Sequence, residues 1–150
     1  MEGMLKISEA ANLAIHGAVY MLRSDPGETV SVAEIAGVLG VSKDHLGKVL
    51  QRLTRMGLVR SKRGPRGGFS FHGDPAKVTL LQLIETVDGP LPRTHCLLGR
   101  AICGGGQCIL GGLLQDIQLQ VTTYLAQTTL ADMKQRSPLA DPTAKLRHKR

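Results

Sequence analysis

Residues 8–22, SEAANLAIHGAVYML, carry apolar side chains almost all round a helical wheel (Ala10, Leu13, Ala14, Ala18, Val19, Leu22). That pattern predicts a helix buried in a core rather than one lying on a surface. SDPGET then supplies a turn rich in Asp, Pro and Gly. Ser31 and Glu34 form S-x-x-E, in which each side chain satisfies a free backbone N–H at a helix start. Val32, Ile35, Ala36 and Leu39 give this helix an inner face, and Gly40 ends it at positive φ.

Ser42 can cap the next helix almost at once. Its apolar positions Leu46, Val49, Leu50 and Leu53 follow the i, i+3, i+4, i+7 rule, and Gly57 closes it. Two short helices joined by a tight glycine-containing turn predict a helix-turn-helix, whose second helix enters a DNA major groove. The fit is steric, since a helix about 10–12 Å across enters a groove about 12 Å wide. Residues 58–61 and 69–71 predict two short strands around the tip KRGPRGG. Cations on a tight hairpin make poor core and a good wing, with Arg63 or Arg66 reaching a minor groove or a phosphate.

TLLQLIETVDG, from Thr79, predicts a further amphipathic helix stopped by Gly89 and Pro90. Residues 109–133 form the longest periodic run, with Leu110, Leu114, Ile117, Val121 and Tyr124 at alternating steps of four and three, and Leu113 and Leu125 beside them. A single helix of that length has more apolar surface than its own domain covers, which points to a second copy of the chain as partner. A long core helix within a monomer is the alternative. Beyond Ser137 two prolines and no periodicity predict a disordered basic tail. The expected fold is mainly α with a small β-wing: a winged helix-turn-helix over 1–75, a cysteine loop and long dimerisation helix over 76–135, and the tail over 136–150.

Charge sharpens this picture. The net charge is +7, and residues 43–66 contain eight basic residues (Lys43, Lys48, Arg52, Arg55, Arg60, Lys62, Arg63, Arg66) against Asp44 alone. A polyanion is the natural ligand of such a segment, the alternative being a solvated basic face. Off the apolar stripe, Ser42, Lys43, Lys48, Gln51, Arg52 and Arg55 are the DNA-facing candidates, with Arg63, Arg66 and Gly67 on the wing. Gln51 suits adenine and a Lys or Arg suits guanine, while other cations grip phosphates. Arg52 has an alternative role as salt-bridge partner of Asp44. With two Phe, two Tyr and no Trp, the chain lacks the stacking platform of a single-strand RNA binder. No run of about eighteen apolar residues predicts a membrane span. The first residues lack the basic start and small-residue cleavage site of a secretory signal, so a cytoplasmic protein is expected, with double-stranded DNA as partner and no small-molecule substrate.

All three cysteines, Cys96, Cys103 and Cys108, fall within CLLGRAICGGGQC. In a reducing compartment such a cluster points to a metal or redox site rather than a structural disulfide. Cys96 beside His95 superficially suggests a nucleophile and base, but adjacent residues rarely pair productively and no orienting third group is evident, so no enzyme is expected.

Four features in order resemble the Rrf2 family of bacterial transcriptional regulators, of the IscR and NsrR type: MLKISEAANLAI, SVAEIAGVLGVSKDHLGKVLQRLTRMGLV, SKRGPRGGF, and three cysteines ahead of a long helix. RGPRGGF is similar to the family's RGPGGGY-like wing. The resemblance spans residues 4–135 and implies a winged-helix homodimer on a partly palindromic operator. It also implies an iron-sulfur cluster on the three cysteines that controls DNA affinity.

Six and four residues separate the thiols here, a spacing less even than the family's usual one. A complete cluster usually takes four ligands. Where family members often place a histidine, three positions after the last cysteine, this chain has Gly111. The N-terminal-helix position that supplies a carboxylate in others is Asn12, with Glu9 one turn earlier; His95 is the remaining candidate. The fourth ligand and the choice between two and four irons stay open. So do a thiol–disulfide switch without metal, a zinc site, and inert buried cysteines.

Overall fold

The computed structural model describes residues 7–93, 96, 98, 100, 102, 103 and 108–137. Six helices and one hairpin follow in the order α1 (Glu9–Leu22), α2 (Val32–Leu39), α3 (Lys43–Arg55), β1 (Val59–Lys62), β2 (Gly68–Phe71), α4 (Leu80–Asp88), α5 (Leu113–Gln127) and α6 (Leu130–Arg136).

Helix α1 is the axis of the fold. Ser8 caps it by accepting from the Ala11 N–H, and nine of its residues are buried. It packs against α2, α3, α4, α6 and β2, so one apolar core extends from Ala11 through Leu50, Leu53 and Ile84 to Leu130. Its exposed positions, Glu9, Asn12 and His16, form a single polar strip. Leu46, Leu50 and Leu53 of α3 are fully buried. Burial at this level contributes roughly 1.5–3 kcal/mol per side chain, enough to seat α3 firmly on α1.

The helix-turn-helix forms through the expected caps. Ser31 accepts from the Glu34 N–H, Gly40 takes φ +68° at the end of α2, and Ser42 accepts from the His45 N–H. The S-x-x-E pattern is only half realised, however. Glu34 does not return a bond to the backbone; its Oε1 accepts from the hydroxyl of buried Tyr20 at 2.9 Å, tying α2 to α1.

The wing strands pair antiparallel, Val59 with Phe71 through Lys62 with Gly68. A third segment fastens them. Val30 and Phe69 exchange backbone hydrogen bonds at 2.8 Å each way, and the Thr29 hydroxyl donates to the Arg66 carbonyl at 2.9 Å. Gly68 makes this possible, because a Cβ there would lie 2.5 Å from the Val30 carbonyl oxygen and 2.8 Å from its carbon. Gly68→Ala is therefore expected to open the Val30–Phe69 bridge and cost about 1–3 kcal/mol. Thermal unfolding checks this, the expected fall in Tm being roughly 2–12 °C.

The run 109–133 is two helices, not the single long one that its periodicity predicts. Gly111 takes φ +60° and Gly112 follows it as the N-cap, so residues 109–112 form a turn and α5 starts at Leu113. The chain breaks again at Thr128 and Thr129, which are extended. There the Leu80 N–H donates to the Thr128 carbonyl and the Leu130 N–H to the Val78 carbonyl, each at 2.9 Å. This bridge to the start of α4 replaces helical bonds without leaving backbone groups unpaired. Thr129 then opens α6 with a full capping box on Asp132. The Thr129 backbone N–H, and next its hydroxyl, hold the Asp132 carboxyl below its usual range. Arg136 is the last residue of α6, so the order reaches one residue into the segment expected to be tail; 138–150 lie outside the described residues.

Candidate DNA interface and cysteine loop

Lys48, Gln51 and Arg55 are exposed on the side of α3 opposite Leu46, Val49, Leu50 and Leu53, and Asp44 opens the same row one turn earlier. Ser42 and Lys43 are exposed at the first turn. Arg63 and Arg66 are exposed at the hairpin tip. Gly67 closes that tip by donating to the Gly64 carbonyl at 2.8 Å, and its missing Cβ leaves room for the hairpin backbone. Among the described residues the one ion pair joins Lys77 and Asp74, so none of these cations is neutralised by a neighbouring carboxylate.

Arg52 stands apart. Its Nη1 donates to the Val87 carbonyl of α4 at 3.3 Å, and the ion pair with Asp44 is not formed. Two residues that support this surface, Thr29 and Val30, carry no signal of that role in the sequence, and Arg60 of the basic segment has a partner there. Thr29 and Val30 brace the wing, and Arg60 lies 3.2 Å from His72 Nε2 across its base. Only the paired glycines of the tip hinted that another backbone comes close.

Cys96, Cys103 and Cys108 are all free and half-buried. They lie between the end of α4 and the start of α5. Gln118 of α5 donates to the Pro92 carbonyl ahead of the segment, and at its other end the Gly111 N–H closes a local turn on the Cys108 carbonyl at 2.8 Å. Among the described residues no three His, Cys, Asp or Glu side chains converge as a metal site. Glu9 and Asn12 are exposed on α1, and the Asn12 carbonyl is 2.8 Å from His16 Nδ1. His95 lies outside the described residues.

On α5, Leu114 is buried and Val121 packs on the chain's own core, so both face inward. Tyr124 and Leu113 are exposed and Ile117 half-buried along one flank, continuing the exposed Ile109 and Leu110 of the preceding turn. No helix of the described residues is long and apolar enough to cross a membrane.

A helix with an exposed cationic face, followed directly by a braced cationic hairpin, defines a winged helix-turn-helix DNA-binding protein. Residues 7–136 match the Rrf2 family, described as an iron-dependent transcriptional regulator, and the chain belongs to that family of DNA-binding transcriptional regulators rather than to any class of enzyme. It is 30% identical over 138 residues to the HTH-type transcriptional regulator IscR of Escherichia coli O1:K1 / APEC, spanning 91% of this chain and 85% of that one. With IscR of Klebsiella pneumoniae (strain 342) it shares 31% over 121 residues, or 80% and 73% of the two chains. Its fold is similar to that of CymR, the global cysteine regulator of B. subtilis, with TM-score 0.75, 24% identity and coverage of 89% and 98%. IscR of T. potens gives a TM-score of 0.66 at 22% identity, covering 88% of each.

Proposed function

We propose that this regulator is a cytoplasmic homodimer whose operator affinity is set by an iron-sulfur cluster held by Cys96, Cys103 and Cys108. The observation that carries the reading is the pairing of an uncompensated cationic face on α3 with three half-buried free thiols in a single loop. The donor chemistry fits: soft thiolates bind iron-sulfur clusters, and the family is described as iron-dependent. When bound, the cluster supplies a redox-active link among the three thiolates, sensitive to oxygen, nitric oxide or iron supply. Glu9, Asn12 and His95 remain the candidates for the fourth ligand.

The chain's own residues do the rest. Lys48, Gln51 and Arg55 enter the major groove with Lys43 and Ser42 at its edge, and Arg63, Arg66 and Gly67 lie along the adjacent backbone. Leu110, Ile117 and Tyr124, with Ile109 and Leu113, form the contact with the second subunit, while Leu114 and Val121 support α5 from beneath. The cysteine loop joins the DNA-reading half to this contact, so its state sets the separation of the two copies of α3. Neighbouring half-sites require about 34–36 Å between them.

A second reading, a thiol–disulfide switch without metal, is supported by the three free, half-buried thiols that lie within thirteen residues of one another. Anaerobic purification separates the two. Iron and acid-labile sulfide in the purified protein, together with preference for duplex over single-stranded oligonucleotides, support the first. Iron-free protein that forms a disulfide on mild oxidation and changes affinity supports the second.

A further inference from the structure

The last turn of α4 is gripped from two sides. Arg52 of α3 donates to the Val87 carbonyl at 3.3 Å, and Ser8, the N-cap of α1, gives the Asp88 carboxylate both its backbone N–H, at 2.9 Å, and its hydroxyl. Each grip answers a physical demand. The final carbonyls of a helix lack intrahelical donors and carry the negative end of its dipole, and α4 has no basic residue in its own last turn. The missing cation comes from α3. Asp88 is a carboxylate at the unfavourable end of its own helix, and it is stabilised by lying at the favourable end of α1. One residue later Gly89, at φ +81°, turns the chain toward the cysteine segment, and Pro92 is held by α5.

We propose that Arg52 is a positioning residue rather than a DNA contact. It fixes the stance of α3 on the end of α4, and Val87–Asp88 is the junction through which the cysteine loop bears on the DNA-reading helix. The proposal rests on the reading that α3 enters the DNA groove. A change in how the loop leaves Gly89 shifts the carbonyl that Arg52 holds, and α3 adjusts on the buried Leu46, Leu50 and Leu53 that seat it.

The test compares Arg52→Met, Lys48→Ala and Asp88→Asn in the full-length protein, measuring operator affinity against salt and amide exchange of α4 without DNA. For Arg52→Met the expected result is faster exchange in the last turn of α4 and affinity weaker by about three- to tenfold, with an unchanged salt slope. Lys48→Ala, losing one phosphate contact per subunit, is expected to lower the slope by about 1.8 for the dimer and leave α4 exchange unchanged. A lowered slope in Arg52→Met, whatever its exchange, makes Arg52 a phosphate contact and overturns the proposal; so does unchanged α4 exchange. Asp88→Asn adds a test of sign. Removing a negative charge by itself tightens DNA binding, whereas loosening the junction weakens it, so tighter binding by this variant also overturns the proposal. Wild-type protein with no preference for duplex DNA defeats the underlying reading instead, and is recognised because it precedes any variant effect.

Discussion

Alanine at both Lys48 and Arg55 is expected to lower operator affinity by about 10²- to 10³-fold and to make its salt dependence shallower by about 3 to 4 in log–log slope. The slope follows from counterion release, two cations lost from each subunit of a dimer freeing four phosphates from neutralisation. Both side chains stand on the exposed face of α3, and among the described residues neither forms an ion pair with a carboxylate. Stability should stay within about 0.5 kcal/mol of wild type, which separates a binding defect from a folding defect. Gln51→Ala should behave differently, keeping the slope and relaxing discrimination at one base pair by about 1–3 kcal/mol. Arg63→Ala with Arg66→Ala should again reduce the slope, and an unchanged affinity and slope in that variant would remove the wing from the interface. Titration of labelled duplex at several salt concentrations decides all three.

The second large effect concerns the thiols. Serine at Cys96, Cys103 and Cys108 is expected to abolish iron and sulfide content and the visible absorption of anaerobically purified protein, because the hydroxyl is a poor ligand for an iron-sulfur cluster. The difference in operator affinity between loaded and unloaded protein should vanish with it. That difference is expected to be tenfold or more, which corresponds to about 1.4 kcal/mol of differential stability between the two forms. Cys103→Ala alone should suffice if all three thiolates are ligands. Iron retained by the triple serine variant, or an affinity difference that survives in it, rejects the cysteine loop as the sensor.

Where a structural decision is made within one or two turns of chain, it was legible. Ser31, Gly40 and Ser42 cap and end α2 and α3 as their residue types require, and Leu46, Val49, Leu50 and Leu53 are the buried face that their spacing predicts. The wing strands differ by a residue or so at their ends, since Leu58 is held instead by Leu53 and His72 through backbone bonds. The candidate DNA surface was equally open to reading, because cations excluded from an apolar stripe have only the outer face left to occupy. Arg52 shows the limit of that rule: it is off the stripe, yet its guanidinium is engaged by a helix that begins 28 positions later.

By itself the sequence determined the helix-turn-helix, the cationic face, the hairpin and the gathering of three thiols, all of which depend on neighbours in the chain and on the period of the helix. Only the tertiary structure decided that 109–133 splits at Thr128 and Thr129, that Leu114 and Val121 turn inward, that Glu34 serves Tyr20, and that Val30 locks the wing. Each of these is a bond or contact between segments far apart in the chain. Periodicity records which side of a helix avoids water, but it does not record which distant backbone arrives to replace a helical hydrogen bond.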